Sequence, residues 1–266
     1  MHQLVSFNNR ILSAAEASIS VVSSAALYGK GVFTTIAVYD GKPFLWKKHW
    51  RRLRASSVNL NIDLSDFSEE DTKAALVKLL LQNGVRNGRA RITFFDESSS
   101  SIWPFESGRK TSLLITSAEA REIPENLRLT ISPCLINSTS PLAGIKSCNY
   151  LEKILALDEA RNRGFDEAVY LNERGEIASA CMANLFWLTD GKLFTPSLKT
   201  GCLAGTTREY VLENLESLEI VRGIDALKNA DSIFLTSAGI GVVQVAEFDG
   251  VAFNTRPHEI LELLPR

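Results

Sequence analysis

Lys146 is the residue of this chain whose type and setting are best suited to covalent chemistry. It ends a loop rich in Pro, Gly and Ser, and a helical pattern of apolar residues begins a few positions later. Leu142 and Ile145 precede it, and a lysine held against apolar groups loses hydration, which lowers its pKa and makes its amine nucleophilic. The sequence leaves two interpretations open: a Schiff-base lysine, or an ordinary surface lysine beside a helix.

Two loops of small residues and one basic helix are suited to holding an anion. Residues 201–208 lead through Thr206 and Thr207 into a helix, whose first N–H groups and dipole attract negative charge. Residues 235–239 join two strands through small side chains, which let a ligand approach the backbone. The basic helix 47–54 could turn one arginine inward. Each element also has a purely structural interpretation. Thr206 could be only a helix cap, the loop at 235–239 a plain turn, and the helix 47–54 a solvated amphipathic helix.

Composition and charge restrict the protein to ordinary globular classes. The chain has 266 residues, 45% of them hydrophobic and 23% charged, with a net charge of −2. This charge argues against nucleic acid or an anionic membrane as partner, and the sequence shows neither a membrane-length apolar run nor a signal peptide. Four cysteines and three histidines are scattered without metal-ligand spacing, which favours reduced thiols, a cytoplasmic location and no metal site.

Alternating strand and helix patterns predict an α/β (α+β) protein. Short polar turns at residues 8–9 and 40–41 predict two hairpins, and a β-branched and aromatic pattern predicts a strand over residues 25–39. One helix is expected to follow Lys146, and another to run from the 201–208 loop to about Leu218.

A polar segment divides the chain into two predicted domains. Residues 118–126 are charged or polar and include Pro124, which is typical of a linker. It would join a small N-terminal α/β domain, residues 1–117, to a larger C-terminal domain, residues 127–266, that carries Lys146.

One candidate amine, two anion loops and an arginine-rich helix suggest a phosphorylated carbonyl cofactor. Pyridoxal 5′-phosphate requires a lysine for its aldehyde, donors for its phosphate and a group that faces its ring nitrogen. Residue types and spacing lead no further than this class of cofactor.

Seven short motifs follow one another along nearly the whole chain. They lie at residues 28–35, 49–53, 145–151, 183–186, 195–196, 201–208 and 235–237. In this order they resemble the class IV aminotransferases, the fold-type IV pyridoxal phosphate enzymes. That family includes branched-chain aminotransferases, D-amino acid aminotransferases and 4-amino-4-deoxychorismate lyases. The resemblance implies a two-domain fold, pyridoxal 5′-phosphate between the domains, a small-molecule substrate and a homodimer.

The resemblance also implies roles for the positions that match. Lys146 would be the Schiff-base lysine and proton shuttle, and Arg52 would hold the cofactor phosphate by charge-assisted hydrogen bonds. Leu203 would pack on the ring. The full set of cofactor-binding positions is Arg52, Lys146, Ser179, Leu203, Thr206, Thr207, Ala238 and Gly239, and the substrate-binding candidates are Tyr28, Phe33, Thr35 and Arg91. Ala238 stands where many relatives have a phosphate-binding threonine, so only backbone N–H groups could serve there.

Ser179 departs from the pattern of the family. Relatives usually have a glutamate at this position, five residues before the asparagine that matches Asn184, and its carboxylate keeps the ring nitrogen protonated. A serine cannot favour the charged form in this way, so the cofactor would be a weaker electron sink. Transamination should suffer, whereas elimination of a good leaving group should suffer less. Glu176 is close in sequence, but an offset of three residues on a strand directs it to the other face.

Local motifs favour the lyase within this family. Phe33-Thr34-Thr35 resembles the lyase pattern, where many transaminases have a glutamate after the aromatic residue, and residues 142–146 and 183–187 are also closer to the lyases. Aminodeoxychorismate lyase releases pyruvate and 4-aminobenzoate, a folate precursor. The acidic loop at residues 95–103 argues against a dicarboxylate substrate, unless Arg89 or Arg91 compensates. The alternatives are a branched-chain or D-amino acid type aminotransferase and a cofactor-binding homologue with little turnover.

Overall fold

The chain forms two compact units of mixed α/β structure. The structure, a computed structural model, describes residues 1–98, 110–253, 255 and 257–265. The first unit contains Met1–Arg121 and Ile145–Asn149, and the second contains Glu122–Gly144 and Tyr150–Arg266. The mixed α/β class predicted from sequence is confirmed. The domain limits 1–117 and 127–266 stay a prediction.

The first unit is built on a six-stranded sheet with helices beside it, within the described residues. Its elements are β1 Leu4–Phe7, β2 Arg10–Ser13, α1 Ser24–Tyr28, β3 Gly31–Tyr39, β4 Lys42–Pro43, α2 Trp46–Asn59, α3 Glu69–Gln82, β5 Gly88–Asp96 and β6 Thr111–Glu119. The strand order is β2-β1-β6-β5-β3-β4. Buried faces of α2 and α3 form one hydrophobic core with the central strands. The core holds β3 and α2, which carry several of the predicted site residues.

The predicted strand over residues 25–39 is wrong in its first part. Ser24–Tyr28 is a short helix, because the Ser23 side chain accepts a hydrogen bond from the Ala26 N–H and caps its start. Gly29 ends the helix in the left-handed conformation at φ 64°. The strand begins only at Gly31.

The segment around Lys146 is attached to β3 of the first unit. The Phe33 N–H donates to the Lys146 carbonyl at 2.9 Å, and the Cys148 N–H donates to the Gly31 carbonyl at 2.8 Å. Ile145 packs against the core of the same unit. These bonds group Lys146 with the N-terminal unit, whereas the sequence pattern placed it in the C-terminal domain.

The second unit contains a nine-stranded sheet, again counted over the described residues. Its elements are β7 Leu127–Ile136, α4 Leu151–Asn162, β8 Glu167–Asn172, β9 Ile177–Ala180, β10 Asn184–Thr189, β11 Lys192–Pro196, α5 Thr206–Asn214, β12 Ser217–Ile220, α6 Asp225–Lys228, β13 Ser232–Ser237, β14 Gly241–Phe248 and β15 Val251–Ala252, with 3-10 turns at Leu198–Thr200 and Glu259–Glu262. The order is β12-β11-β10-β13-β14-β7-β8-β9, and β15 pairs with β14. The helix expected to reach Leu218 ends at Asn214, because residues 217–220 pair in parallel with β11 instead.

Helix α4 shows an unusual distribution of side chains. Its core side consists of the buried residues Ala156, Leu157 and Ala160. The apolar residues Leu151, Ile154 and Leu155 are exposed, at 65%, 44% and 57% of their full area. A helix thus presents an apolar stripe to solvent directly after the Lys146 segment.

No helix in the described ranges is long and apolar enough to cross a membrane.

Candidate active site

In the first unit, the Lys146 amine and the Arg91 guanidinium both lie against the ring of Phe33. The Lys146 Nζ atom is 4.5 Å from the ring centre, and the Arg91 guanidinium carbon is 3.6 Å from it. Phe33 is buried, Lys146 is half-buried and Arg91 is exposed. Two cations beside one aromatic ring attract negatively charged groups of a ligand, while the ring itself stabilises both. The structure therefore brings Lys146, Phe33 and Arg91 together, and their roles in a site stay a prediction.

Arg52 on α2 is held by a polar chain through Thr34, the neighbour of Phe33 on β3. Its Nη2 atom donates to the Thr34 hydroxyl at 2.7 Å, and the Thr34 Oγ1 atom lies 2.6 Å from Nδ1 of His49. Burial lowers the pKa of His49 well below its usual value, and the positive charges of Arg52 and Lys146 lower it further. A neutral His49 can accept the Thr34 proton at Nδ1, which leaves the threonine oxygen to accept from Arg52. This chain orients the guanidinium.

Close backbone approaches hold the strand that carries Phe33. A Cβ atom on Gly31 would lie 2.9 Å from both the Cys148 Sγ and the Phe94 carbonyl. A Cβ atom on Gly29 would lie 2.7 Å from the Asn149 side chain, which donates to the Gly29 carbonyl. Both glycines are therefore required for the Lys146 segment to reach β3.

Two predicted substrate residues lie on the same stretch of chain. Thr35 is half-buried on β3, whereas Tyr28 is exposed, with 46% of its area accessible, at the end of α1. Their contact with a substrate stays a prediction.

The acidic residues after β5 are already paired with lysines. Asp96 lies 2.6 Å from Lys30; burial acts to raise the pKa of its carboxyl group, but hydrogen bonds from Lys30 and Ser98 outweigh burial and lower this pKa. Glu97 lies 2.9 Å from Lys110. These pairs cancel the local negative charge that argued against a dicarboxylate substrate. Most of the polar loop, residues 99–109, is outside the described residues.

In the second unit, the loop before α5 is built around Asn184. The Asn184 side chain donates to the Leu203 carbonyl at 2.8 Å. A Cβ atom on Gly205 would lie 1.9 Å from the Asn184 Oδ1 atom, so only glycine fits there. Thr206 and Thr207 open α5 and are both buried. The loop thus presents Leu203 and the first turn of α5 together.

Gly205→Ala is expected to destroy this loop geometry. The new Cβ atom would displace Asn184 and break its bond to the Leu203 carbonyl, so the affinity for pyridoxal phosphate should fall about tenfold or more. Fluorescence titration of the apoprotein with the cofactor measures this. Gly223→Ala is the matched control, because its Cβ atom would meet its nearest neighbour at an ordinary 3.7 Å. Equal affinities of the two variants would contradict the assignment of this loop.

Thr236 adds a hydroxyl next to the same loop. It pairs directly with Asn184 across β10 and β13, and its buried Oγ1 atom has no hydrogen-bond partner among the described residues. Ala238 and Gly239 follow in the half-buried turn after β13. Thr236 therefore supplies a buried hydroxyl near the end of β13, two residues before Ala238.

Ser179 is buried on β9, at 3% of its full area, and its hydroxyl is also without a hydrogen-bond partner in the described part of the chain. It lies directly opposite Tyr170 of β8. The Glu176 carboxylate is engaged elsewhere, because Arg174 and Asn172 donate to it at 2.7 Å each. Glu176 therefore does not take the place of the missing carboxylate.

Arg208, the last residue of the 201–208 motif, serves the fold. Its buried guanidinium donates to the Thr195 hydroxyl, the Pro196 carbonyl and the Glu219 carboxylate. It ties α5 to the neighbouring strands and so fixes the direction in which the helix N-terminus points.

Sequence reasoning missed four residues that shape these groups: Thr34, His49, Asn184 and Thr236. His49 and Asn184 were noticed only as members of motifs, and Thr34 only as a mark of the lyase pattern. The three-residue spacing of His49 and Arg52 on a helix was a usable signal, since it places both side chains on one face.

The fold and these groups of residues identify a class IV enzyme. Residues 31–248 match the model of the amino-transferase class IV family, and the chain belongs to that family. Enzymes of this family use pyridoxal 5′-phosphate, and one branched-chain amino acid aminotransferase of similar fold was solved with pyridoxamine 5′-phosphate.

Named relatives carry out different reactions. The chain is 28% identical to the aminodeoxychorismate lyase of Bacillus subtilis, over 98% of this chain and 92% of the relative. It is 28% identical to the D-alanine aminotransferase of Listeria innocua, over 92% of this chain and 87% of the relative. The crystal structure of the branched-chain aminotransferase of Thermoproteus uzoniensis with norvaline matches with a TM-score of 0.90, 26% identity, and coverage of 98% and 92% of the two chains.

Proposed function

We propose that this chain is a pyridoxal phosphate-dependent lyase that converts 4-amino-4-deoxychorismate into 4-aminobenzoate and pyruvate. The observation that carries the proposal is Ser179, a buried serine where the family usually has a glutamate. A hydroxyl does not hold the ring nitrogen in its charged form, which penalises transamination more than the elimination of a good leaving group. The likeness to the Bacillus subtilis lyase over almost the whole chain supports the same reaction.

The residues present fit the cofactor. Two buried hydroxyls, on Ser179 and Thr236, have no partner in the described ranges, and the Gly205 loop excludes a Cβ atom. The proposal assigns Arg52, Thr206 and Thr207 to the phosphate, with backbone N–H groups of Ala238 and Gly239. Leu203 would pack against the ring, and Ser179 would face its nitrogen. When bound, pyridoxal phosphate supplies an aldehyde for the substrate amine and a ring that accepts electrons.

Lys146 performs the proton transfers. Its amine would hold the aldehyde of the cofactor and, once the substrate amine takes that place, would be available as a base. It removes the proton from the carbon that bears the substrate's amino group. The electron pair left on that carbon would expel the ether oxygen of the enolpyruvyl group and make the ring aromatic. Lys146 would return its proton to the departing group, which leaves as pyruvate, and its amine would then take back the aldehyde and so release 4-aminobenzoate.

Arg91 and Phe33 orient the substrate in this proposal. Arg91 presents an exposed guanidinium on the Phe33 ring, next to the Lys146 amine. A guanidinium can hold a carboxylate through two parallel hydrogen bonds, and the substrate has two carboxylates. Tyr28 and Thr35 are assigned to the rest of the substrate.

The test is pyruvate release from aminodeoxychorismate by the purified holoenzyme, with no keto-acid acceptor present. The proposal predicts multiple turnovers, and 4-aminobenzoate in equal amount to pyruvate. Conversion of the cofactor to its amine form by an amino donor, with no reaction of aminodeoxychorismate, would show an aminotransferase instead. Cofactor binding without either reaction would show a homologue with little turnover.

A branched-chain or D-amino acid type aminotransferase is the second candidate. It is favoured by the structural match to the Thermoproteus uzoniensis branched-chain enzyme and by the likeness to the Listeria innocua D-alanine enzyme. A panel of L- and D-amino acids, followed by absorbance of the cofactor, names the donor if this candidate is right.

We also propose that the chain acts as a homodimer. The exposed apolar stripe of Leu151, Ile154 and Leu155 supports this, because monomeric proteins seldom leave such a row of large apolar side chains in water. Light scattering should give twice the chain mass of 29.3 kDa.

A further inference from the structure

Lys153 is a lysine on the core-facing side of α4. It precedes the buried residues Ala156, Leu157 and Ala160 by three, four and seven positions, which is the spacing of one helix face. The side chain is half-buried, and its Nζ atom lies 5.2 Å from the centre of the Tyr170 ring. Lysines are rarely placed toward a core without a partner or a function.

The pairing of β8 with β9 places Ser179 beside this lysine's aromatic neighbour. Tyr170 and Ser179 are directly opposite in the antiparallel pair, so their side chains leave the same face about 5 Å apart. The Tyr170 hydroxyl donates to the Glu152 carbonyl at the start of α4, which holds the ring against the helix. Lys153, Tyr170 and Ser179 therefore form one continuous surface of the second unit.

The titratable groups that face Lys153 come from every element packed around it. They are Glu152 on α4, Tyr150 before it, Glu167 and Tyr170 on β8, Cys181 after β9 and Cys202 in the loop before α5. Burial lowers the pKa of Lys153, and the negative charge of Glu167 and Glu152 acts in the opposite direction.

The Glu167 carboxylate acts on Lys153 by its charge, and its own hydrogen bonds tie it to the backbone. Its oxygens accept the N–H groups of Ala168 and Met182. By strand alternation, Glu167 and Tyr170 belong to opposite faces of β8. Burial raises the pKa of Tyr170 further above neutrality and raises that of Cys181 to about 12, so neither carries negative charge near neutral pH. Lys153 is the cation that lies against Tyr170, the residue directly opposite Ser179.

We propose that Lys153 acts on the ring nitrogen of bound pyridoxal phosphate, and that its positive charge, together with Ser179, holds this nitrogen unprotonated. The inference rests on the proposed function, because it takes Ser179 to face the ring nitrogen. A positive charge disfavours a second one nearby. For two charges about 10 Å apart, at an effective dielectric constant of about 20, the pKa of the second group falls by about one unit. Lys153 is thus an electrostatic residue that strengthens the preference for elimination over transamination.

The test is the ¹⁵N chemical shift of the ring nitrogen in the holoenzyme, loaded with ¹⁵N-labelled pyridoxal phosphate and titrated with pH. Lys153→Gln and Lys153→Met remove the charge, and we expect the pKa of the ring nitrogen to rise by about one unit in both. Lys153→Arg keeps the charge and should titrate like the unmodified protein. Two uncharged variants guard against a single one that fails to fold.

Each outcome has a distinct meaning. Identical titration curves for the Gln, Met and Arg variants and the unmodified protein would overturn the role of Lys153 while leaving the proposed function intact. Failure of the unmodified protein to bind the cofactor through Lys146 would overturn the proposed function and this inference with it. A higher ring-nitrogen pKa in the Gln and Met variants, with an unchanged pKa in Lys153→Arg, supports the inference. A loss of packing alone would not spare the variant that keeps the charge.

Discussion

Lys146→Ala should lower pyruvate release from aminodeoxychorismate about 10³-fold or more. The variant loses both the covalent attachment of the cofactor and the base that moves the proton, and positioned proton transfer alone contributes about 10²–10⁴-fold. The measurements are steady-state turnover and the visible absorbance of the cofactor-loaded protein. The absorbance should resemble that of the free aldehyde.

The matched control is Lys78→Ala, which changes an exposed lysine on α3 of the same unit. It should keep full turnover and an unaltered spectrum. Arg91 stays on the Phe33 ring when the neighbouring Lys146 amine is removed. A folded Lys146→Ala protein should therefore still bind phosphate and carboxylate groups. A variant that retained turnover close to that of the control would refute the assignment of Lys146.

Ser179→Glu should raise the rate of the transamination half-reaction, by about tenfold to a hundredfold. A carboxylate beside the ring nitrogen favours its charged form and makes the cofactor a stronger electron sink. The measurement is the single-turnover change of cofactor absorbance with the best amino donor of the panel.

Ser179→Ala is the control, since it removes the buried hydroxyl without adding charge, and its half-reaction should be unchanged. Because Ser179 is 3% exposed, the larger glutamate has to be accommodated, and Ser179→Asp offers a smaller carboxylate. No increase for either acidic variant, with melting temperatures close to that of the control, would contradict the account of the ring nitrogen.

Short-range signals in the sequence predicted much of the fold. The hairpins at residues 8–9 and 40–41 are confirmed because their turn residues, among them Asn8, Asn9 and Asp40, adopt positive φ, which Asn, Asp and Gly tolerate. The helix after Lys146 is confirmed as well. The helix at Ser24–Tyr28 was missed, because it is only five residues long and leads almost directly into the β-branched strand; the caps at Ser23 and Gly29 set its ends.

Long-range pairing could not be predicted from the sequence. The bridge between Val32 and Ser147 brings Lys146 to β3 across more than a hundred residues, and nothing local to Lys146 indicates it. The same limit applies to the site. The motifs identify Lys146, Arg52 and the 201–208 loop, whereas the partnerless hydroxyl of Thr236 and the Gly205–Asn184 approach depend on the folded chain.

Lys153 shows a signal that was available in the sequence and was not used. Its spacing from Ala156, Leu157 and Ala160 places it on the core face of α4, while Leu151, Ile154 and Leu155 lie outside. A lysine inside an otherwise small and apolar stripe indicates a special position.

The central claim is that Lys146 holds pyridoxal phosphate, and borohydride reduction of the cofactor-loaded protein tests it most directly. Reduction fixes the cofactor to its lysine, and digestion followed by mass spectrometry locates the modified residue. The account predicts one labelled lysine per chain, Lys146, in the peptide that leads into α4. Label on Lys153, or no label after saturation with the cofactor, would contradict it.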